Sequence, residues 1–306
     1  MADASPFSAS LSLPDRDARR RYDALSGLDD VKSRLLKQAR ILLKPSLLER
    51  WAQEHHDGAK LAVIDVLRDR APLFIFAGDV GTGKTTLAET FGDALALQER
   101  VSVEVMRLSL NARGSGMVGE MTSLITEAFE AVTEQAPRLG DEDPSAAVVL
   151  LIDEADALAQ SRENAHMHHE DRAGVNALIR GIDSIATERR PVITVLCTNR
   201  LEAIDPAVRR RAFEEFEFAR PDVNRRAELL AGLFEGVGLK ADELDELARL
   251  TGEGGERTYP CTYSDITQRL AATVVLKAFP DQPLDFELIR QAAEALIPTP
   301  PFATDA

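Results

Sequence analysis

The run "LFIFA" at 73 to 77 sets five apolar residues in succession. Shorter or broken versions of the pattern recur as "VSVEVMRLSL" at 101 to 110, "VVLLID" at 148 to 153, "VITVLCTN" at 192 to 199 and "FEEFEF" at 213 to 218. Short runs rich in β-branched and aromatic residues predict strands. Between most of them the spacing changes: Met121, Leu124, Ile125, Ala128, Phe129 and Val132 mark one face of a helix predicted over 120 to 134. Strands alternating with helices imply a parallel sheet covered on both faces, and the near-continuous apolar third and fourth runs suit its centre. The expected fold is therefore α/β, with a five-stranded parallel sheet between helices.

The flanks read differently. Residues 1 to 22 mix Ser, Pro, Asp and Arg without helical period and are expected to form a mobile arm. Val31, Leu35, Ala39 and Leu42 then recur at helical spacing, with Asp29 and Asp30 placed to cap and charge the helix start. After "ARPD" the pattern is helical only: Leu229, Leu230, Leu233 and Phe234, then Leu244, Leu247 and Leu250, then Ile266, Leu270 and Val274, then Leu288, Ile289, Ala292 and Leu296. A small helical lid domain over 221 to 298 is expected to follow an α/β domain over 23 to 220, with 299 to 306 as a tail.

Composition narrows the function classes. The chain has 306 residues, 44% hydrophobic and 28% charged, enough for one sizeable core and a smaller one. No apolar run reaches the length of a membrane span, and the N-terminus lacks a signal-peptide layout, so a cytoplasmic protein is expected. Two cysteines, Cys197 and Cys261, give no disulfide framework. A net charge of -15 argues against a general nucleic-acid coat, which needs clustered Lys and Arg.

The chemistry begins at "GDVGTGKT", residues 78 to 85, which follows a predicted strand and opens a helix marked by Leu87, Phe91 and Leu95. Glycines at 78 and 83 let backbone N–H groups turn around phosphate oxygens, and the helix presents its positive end to the same anion. Nucleotide contact is expected of Gly78, Val80, Gly81, Thr82, Gly83, Lys84, Thr85, Thr86 and Leu87. Lys84 should reach the outer phosphates, and Thr85 should ligate Mg²⁺. In "VVLLIDEAD" an apolar strand ends in acids that project where open α/β sheets bind ligands. Asp153 is expected to serve Mg²⁺, and Glu154 to polarise the attacking water as general base. Asn199, closing the fourth strand in "LCTNR", is expected to orient that water. ATP and Mg²⁺ are the implied cofactors of this P-loop NTPase.

Taken in order, "GDVGTGKTT", "LLIDEAD", "CTNR" and "IDPAVRRRAFEEFEF", followed by helices, resemble the AAA+ ATPases over residues 25 to 297. The resemblance implies a ring, usually a hexamer, in which an arginine from one subunit reaches the neighbour's γ-phosphate. Arg209, Arg210 and Arg211 are the candidates, with Arg211 preferred and Arg210 next. It also implies a loop that grips a polypeptide. Met117, Val118 and Gly119 stand at its place, with methionine instead of the family's aromatic residue and Arg113 nearby.

Within the AAA+ group, "SRENA", "VNALIRGID" and the continuation into "IDPAVRRRAF" look most like the pachytene-checkpoint family, the thyroid receptor-interacting protein thirteen type that remodels HORMA-domain proteins. Some short bacterial forms of that family accompany a HORMA protein and a cyclic-nucleotide synthase in anti-phage defence, and the resemblance implies the same setting here. Two departures from the family stand out: no separate N-terminal adaptor domain is expected, and "TYSDI" at 262 to 266 lacks the lid arginine that many AAA+ proteins present to the nucleotide.

The resulting expectation is a homo-hexameric ATPase acting on a HORMA-type protein client, without membrane or nucleic-acid partners. A DNA-acting motor or clamp-loader-like ATPase, a Rubisco-activase-like remodeller, and a nucleotide-dependent scaffold remain as alternatives. "HMHH" at 166 to 169 lacks the paired cluster that a zinc site needs.

Overall fold

A computed structural model describes residues 5–108, 120–137, 143–157, 169–254 and 257–302. In chain order the elements are β1 (Phe7–Leu13), α1 (Arg16–Asp23), α2 (Asp29–Leu43), α3 (Ser46–His55), α4 (Ala62–Arg68), β2 (Leu73–Gly78), α5 (Lys84–Glu99), β3 (Ser102–Leu108), α6 (Glu120–Gln135), β4 (Ala146–Ile152), α7 (His169–Glu188), β5 (Val192–Thr198), the single turn α8 (Pro206–Arg209) and β6 (Glu214–Phe218). Four further helices follow: α9 (Val223–Leu233), α10 (Ala241–Leu250), α11 (Ala271–Ala278), which continues a π-helical turn Asp265–Leu270, and α12 (Phe286–Ala295).

The sheet runs β1-β3-β4-β5-β2-β6. Strands β3, β4, β5 and β2 pair in parallel, with Arg107 opposite Leu151, Ile152 opposite Leu196 and Ala77 opposite Thr198. This register brings the carboxyl ends of the central strands to one edge. Every residue of β5 is buried, as a strand between two helical layers requires. On one face α6 and α7 cover Leu73, Ile75, Val148, Leu150, Ile152 and Leu196. On the other face α5 approaches β1 and β3 so closely that a Cβ on Gly92 would lie 2.8 Å from Leu13.

The expected mobile arm is corrected here. "FSASLSL" alternates apolar and polar residues with the period of a strand, and it forms β1, antiparallel to β3, with Ser10 opposite Met106 and Leu13 opposite Val103. The sheet therefore has six strands rather than five. The segment that follows is helical, and Asp15 caps α1 by accepting from the N–H groups of Asp17 and Ala18. In α2 the buried face is Leu35, Ala39 and Leu43. Its N-cap is Leu28, so Asp29 and Asp30 favour the helix start by charge and do not cap it.

Contacts group the chain into two compact units. One comprises the described residues of Met1–Ala24, Leu28–Ala77 and Thr85–Glu217; the other comprises those of Leu25–Gly27, Gly78–Lys84 and Phe218–Ala306. The second unit has its own core, built from Leu230, Leu247, Cys261, Ile266, Leu270, Val274 and Ile289. It also holds the glycine loop after β2, whose attachments are described next.

Candidate nucleotide site

The loop Gly78–Lys84 leaves a strand with no exposed residue before Gly78 and enters α5 directly. Two glycines are required by what surrounds them. Gly78 has φ +151, and a Cβ there would lie 2.1 Å from the carbonyl oxygen of Phe218. Gly81 has φ +78, and a Cβ there would meet Thr262 Oγ1 at 2.7 Å. The loop is pinned from several sides: Gly81 O accepts from Ser264 N, Thr82 Oγ1 donates to Asp79 O, and Asp79 accepts from Arg220 Nε at 2.7 Å and from Phe302 N at 3.3 Å. Lys84 is buried, and its ammonium donates to the carbonyls of Gly78 and Asp79, both at 2.7 Å. A positive group is thus held over a turn of backbone that a side chain would fill, a cradle suited to phosphate oxygens. Val80 is exposed, whereas Leu87 is fully buried, so Leu87 has only its backbone to offer a ligand.

The other unit carries the acidic edge. Thr85 Oγ1 donates to both oxygens of Asp153, at 3.3 and 3.1 Å, which brings together the hydroxyl and carboxylate predicted to share a magnesium ion. Hard oxygens of this kind fit Mg²⁺ held through few protein ligands and several waters. Glu154, the next residue, is exposed and has φ +53, a left-handed backbone that non-glycine residues seldom adopt. Asp156, which the motif reading passed over, accepts from Thr198 Oγ1 at 3.0 Å and so ties the turn after β4 to the end of β5. Asn199 follows directly and is half-buried.

The three arginines that end and follow α8 separate cleanly. Arg209 forks onto Glu215, with contacts of 2.9 and 2.7 Å, and Arg211 forks onto Asp183, with contacts of 2.7 and 3.0 Å. Both guanidinium pKa values are raised, chiefly by those hydrogen bonds. Arg210 is exposed and has no ion pair among the described residues. Arg113, Met117, Val118, Gly119 and His166 to His168 lie outside the described residues. Arg107, which no motif singled out, donates to Asp153 Oδ2 at 2.8 Å.

The chain is 48% identical over 298 residues to CD-NTase-associated protein 6 of Escherichia coli strain MS 115-1, covering 97% of this chain and 96% of the relative. It belongs to the CD-NTase-associated protein 6 family. A second family member, from E. coli strain KTE188, is 36% identical over 301 residues and covers 98% of each chain. Residues 74–220 match the ATPase family associated with various cellular activities (AAA), a span that runs from β2 past β6 and contains the phosphate loop, the acids and the arginines. Among solved structures, a chain of the E. coli MS115-1 HORMA:CdnC:Trip13 complex superposes with a TM-score of 0.91 at 47% identity, covering 97% of both chains. The structure of Rhizobiales Trip13 matches with a TM-score of 0.76 at 39% identity, covering 96% of this chain and all of that one. The AAA fold and the family are thereby shown.

Proposed function

We propose that this protein is an ATP-hydrolysing ring subunit that remodels a HORMA-domain protein in a bacterial anti-phage signalling system. The observation that carries the partner is the near full-length likeness, at 47% identity, to a chain solved in a HORMA:CdnC:Trip13 complex. What supports hydrolysis is the meeting of Thr85 with Asp153 beside a strained, exposed Glu154.

In this reading the backbone of Gly78–Gly83 and the Lys84 ammonium bind the phosphates, and Thr85 and Asp153 hold magnesium. The metal, when bound, offsets charge that spreads over the transferred phosphoryl oxygens. Glu154 takes the proton of the attacking water, and Asn199 orients that water. Arg210 is the residue offered to a neighbouring subunit, because Arg209 and Arg211 are already forked onto carboxylates of their own chain. Self-association into a ring is supported by exposed apolar residues in each unit: Val63 and Val66, 67% and 66% exposed, on α4, and Leu276, 76% exposed, on α11 with Phe279, 77% exposed, just past its end. No helix among the described residues is long and apolar enough to cross a membrane.

The test is ATP turnover per subunit against protein concentration, with and without the HORMA protein from the same source. Turnover is expected to rise with concentration and again with the partner, and Glu154→Gln should lower it by about 100-fold or more. A rate indifferent to the partner but stimulated by DNA would sink the remodeller reading in favour of a nucleic-acid motor. Turnover unaffected by Glu154→Gln would sink the hydrolytic assignment itself.

A further inference from the structure

Arg107 is the penultimate residue of β3, at the sheet edge where Asp153 emerges. Nothing in phosphate binding requires a basic residue there. Its guanidinium nonetheless spans two carboxylates: Nη2 donates to Asp153 Oδ2 at 2.8 Å and Nη1 to Glu89 Oε1 at 3.2 Å. Glu89 also receives Arg21 from α1. The result is a row of alternating charge, Arg21, Glu89, Arg107, Asp153, that ends on the acid facing Thr85.

The contact falls on an oxygen with other work. Asp153 Oδ2 accepts from Thr85 Oγ1 as well as from Arg107, while Oδ1 accepts from Thr85 Oγ1 and from Glu154 N. The carboxylates of Asp153 and Glu89 are about four-fifths covered, at 18% and 21% exposure, so water screens this row less than it would an open surface pair. A guanidinium on a carboxylate both occupies lone pairs and repels a second cation brought to the same group. Glu89 draws on the other arm of the fork, so it sets how firmly the arginine leans on Asp153.

We propose that Arg107 is a positioning residue that occupies the Asp153 carboxylate as a built-in stand-in for a divalent cation, and that Glu89 tunes this hold. The inference rests on the reading of Asp153 as the acid that serves magnesium. Magnesium then binds in competition with the chain's own arginine. The acid stays oriented without metal, at the cost of a higher magnesium requirement for nucleotide binding.

The experiment is equilibrium binding of a fluorescent ADP analogue by the full chain at increasing MgCl₂, with melting temperatures in EDTA recorded alongside. Arg107→Gln is expected to lower the half-saturating magnesium concentration by about threefold or more, the size of a partly screened charge contact. Glu89→Gln should raise it, because the arginine then turns wholly onto Asp153. That rise should vanish in the Arg107→Gln background, the signature of one residue acting through the other. Arg107→Lys, which keeps the charge but cannot fork, should fall between wild type and Arg107→Gln, and together with Glu89→Gln it decides the matter if Arg107→Gln folds poorly. An unchanged or raised half-point in Arg107→Gln with the analogue still bound overturns the stand-in alone. Failure of the wild-type chain to bind the analogue at any magnesium concentration overturns the nucleotide reading, and this inference with it.

Discussion

Asp265 is a carboxylate with no exposed surface and four donors: Thr262 N at 2.9 Å, Thr299 N at 3.0 Å, Thr299 Oγ1 at 2.7 Å and Arg269 Nη1 at 2.7 Å. Burial by itself would push its pKa up, but the hydrogen bonds from Thr262, Thr299 and Arg269 hold it down at about 2. A carboxyl whose folded pKa lies below its unfolded value near 4 contributes stability that is full above pH 4 and disappears as pH falls toward 2. That contribution is about 2 kcal/mol at neutral pH. Asp265→Asn should therefore lower the melting temperature at pH 7 and flatten the acid limb between pH 4 and 2, as read by thermal melts across that range. The absence of a lid arginine from "TYSDI" was legible in the sequence; the use of the acid at that place to hold Thr299 was not, because the partners are distant in the chain. Motif residues such as Thr85 and Asp153 could be found because spacing and context mark them. Arg107 has no spacing partner, and only the register of β3 against β4 brings it to Asp153.

At the scale of elements, α6 and α7 pack through a glycine. Gly181 in α7 faces the ring of Phe129 in α6 so closely that an added Cβ would lie 2.3 Å from Cγ and 2.4 Å from Cδ2. Both residues belong to the layer that covers one face of the sheet, and Phe129 is itself in the core cluster. Alanine normally favours a helix over glycine by about 1 kcal/mol. Here the ring cannot yield without disturbing buried neighbours, so Gly181→Ala should destabilise by about 1–3 kcal/mol, measured by urea unfolding. A gain in stability would mean that the two helices lie further apart than this. The helical period of 120 to 134 announced α6 because one face alone is buried. The period of two in "FSASLSL" was just as regular but spans seven residues with serines between, and its strand is revealed only by the β3 edge that receives it. A pattern announces its element when its own length decides the outcome; β1 depends on a partner far along the chain.

At the scale of the whole molecule, the N-terminal segment completes the sheet and anchors a buried acid. Asp93 in α5 is 1% exposed, and it accepts from Asp15 N at 2.7 Å and from Arg19 Nε at 3.0 Å. Deleting residues 1–23 removes both donors, leaves that charge without them, and bares the edge of β3. The deletion should cost about 1–3 kcal/mol for the orphaned acid alone and should raise light scattering on concentration, since an open strand edge recruits other chains. A deletion variant as stable and as soluble as the full chain would show that the segment is dispensable. The same pairing has a meaning in time. Ser10 and Glu104 are separated by 94 residues, and Ser10 leaves the ribosome first. Until the second of them has been synthesised, β1 has no edge to join, while β2 and α5 are already available to one another. β1 thus cannot nucleate the sheet it completes; it docks on an edge that later residues have built.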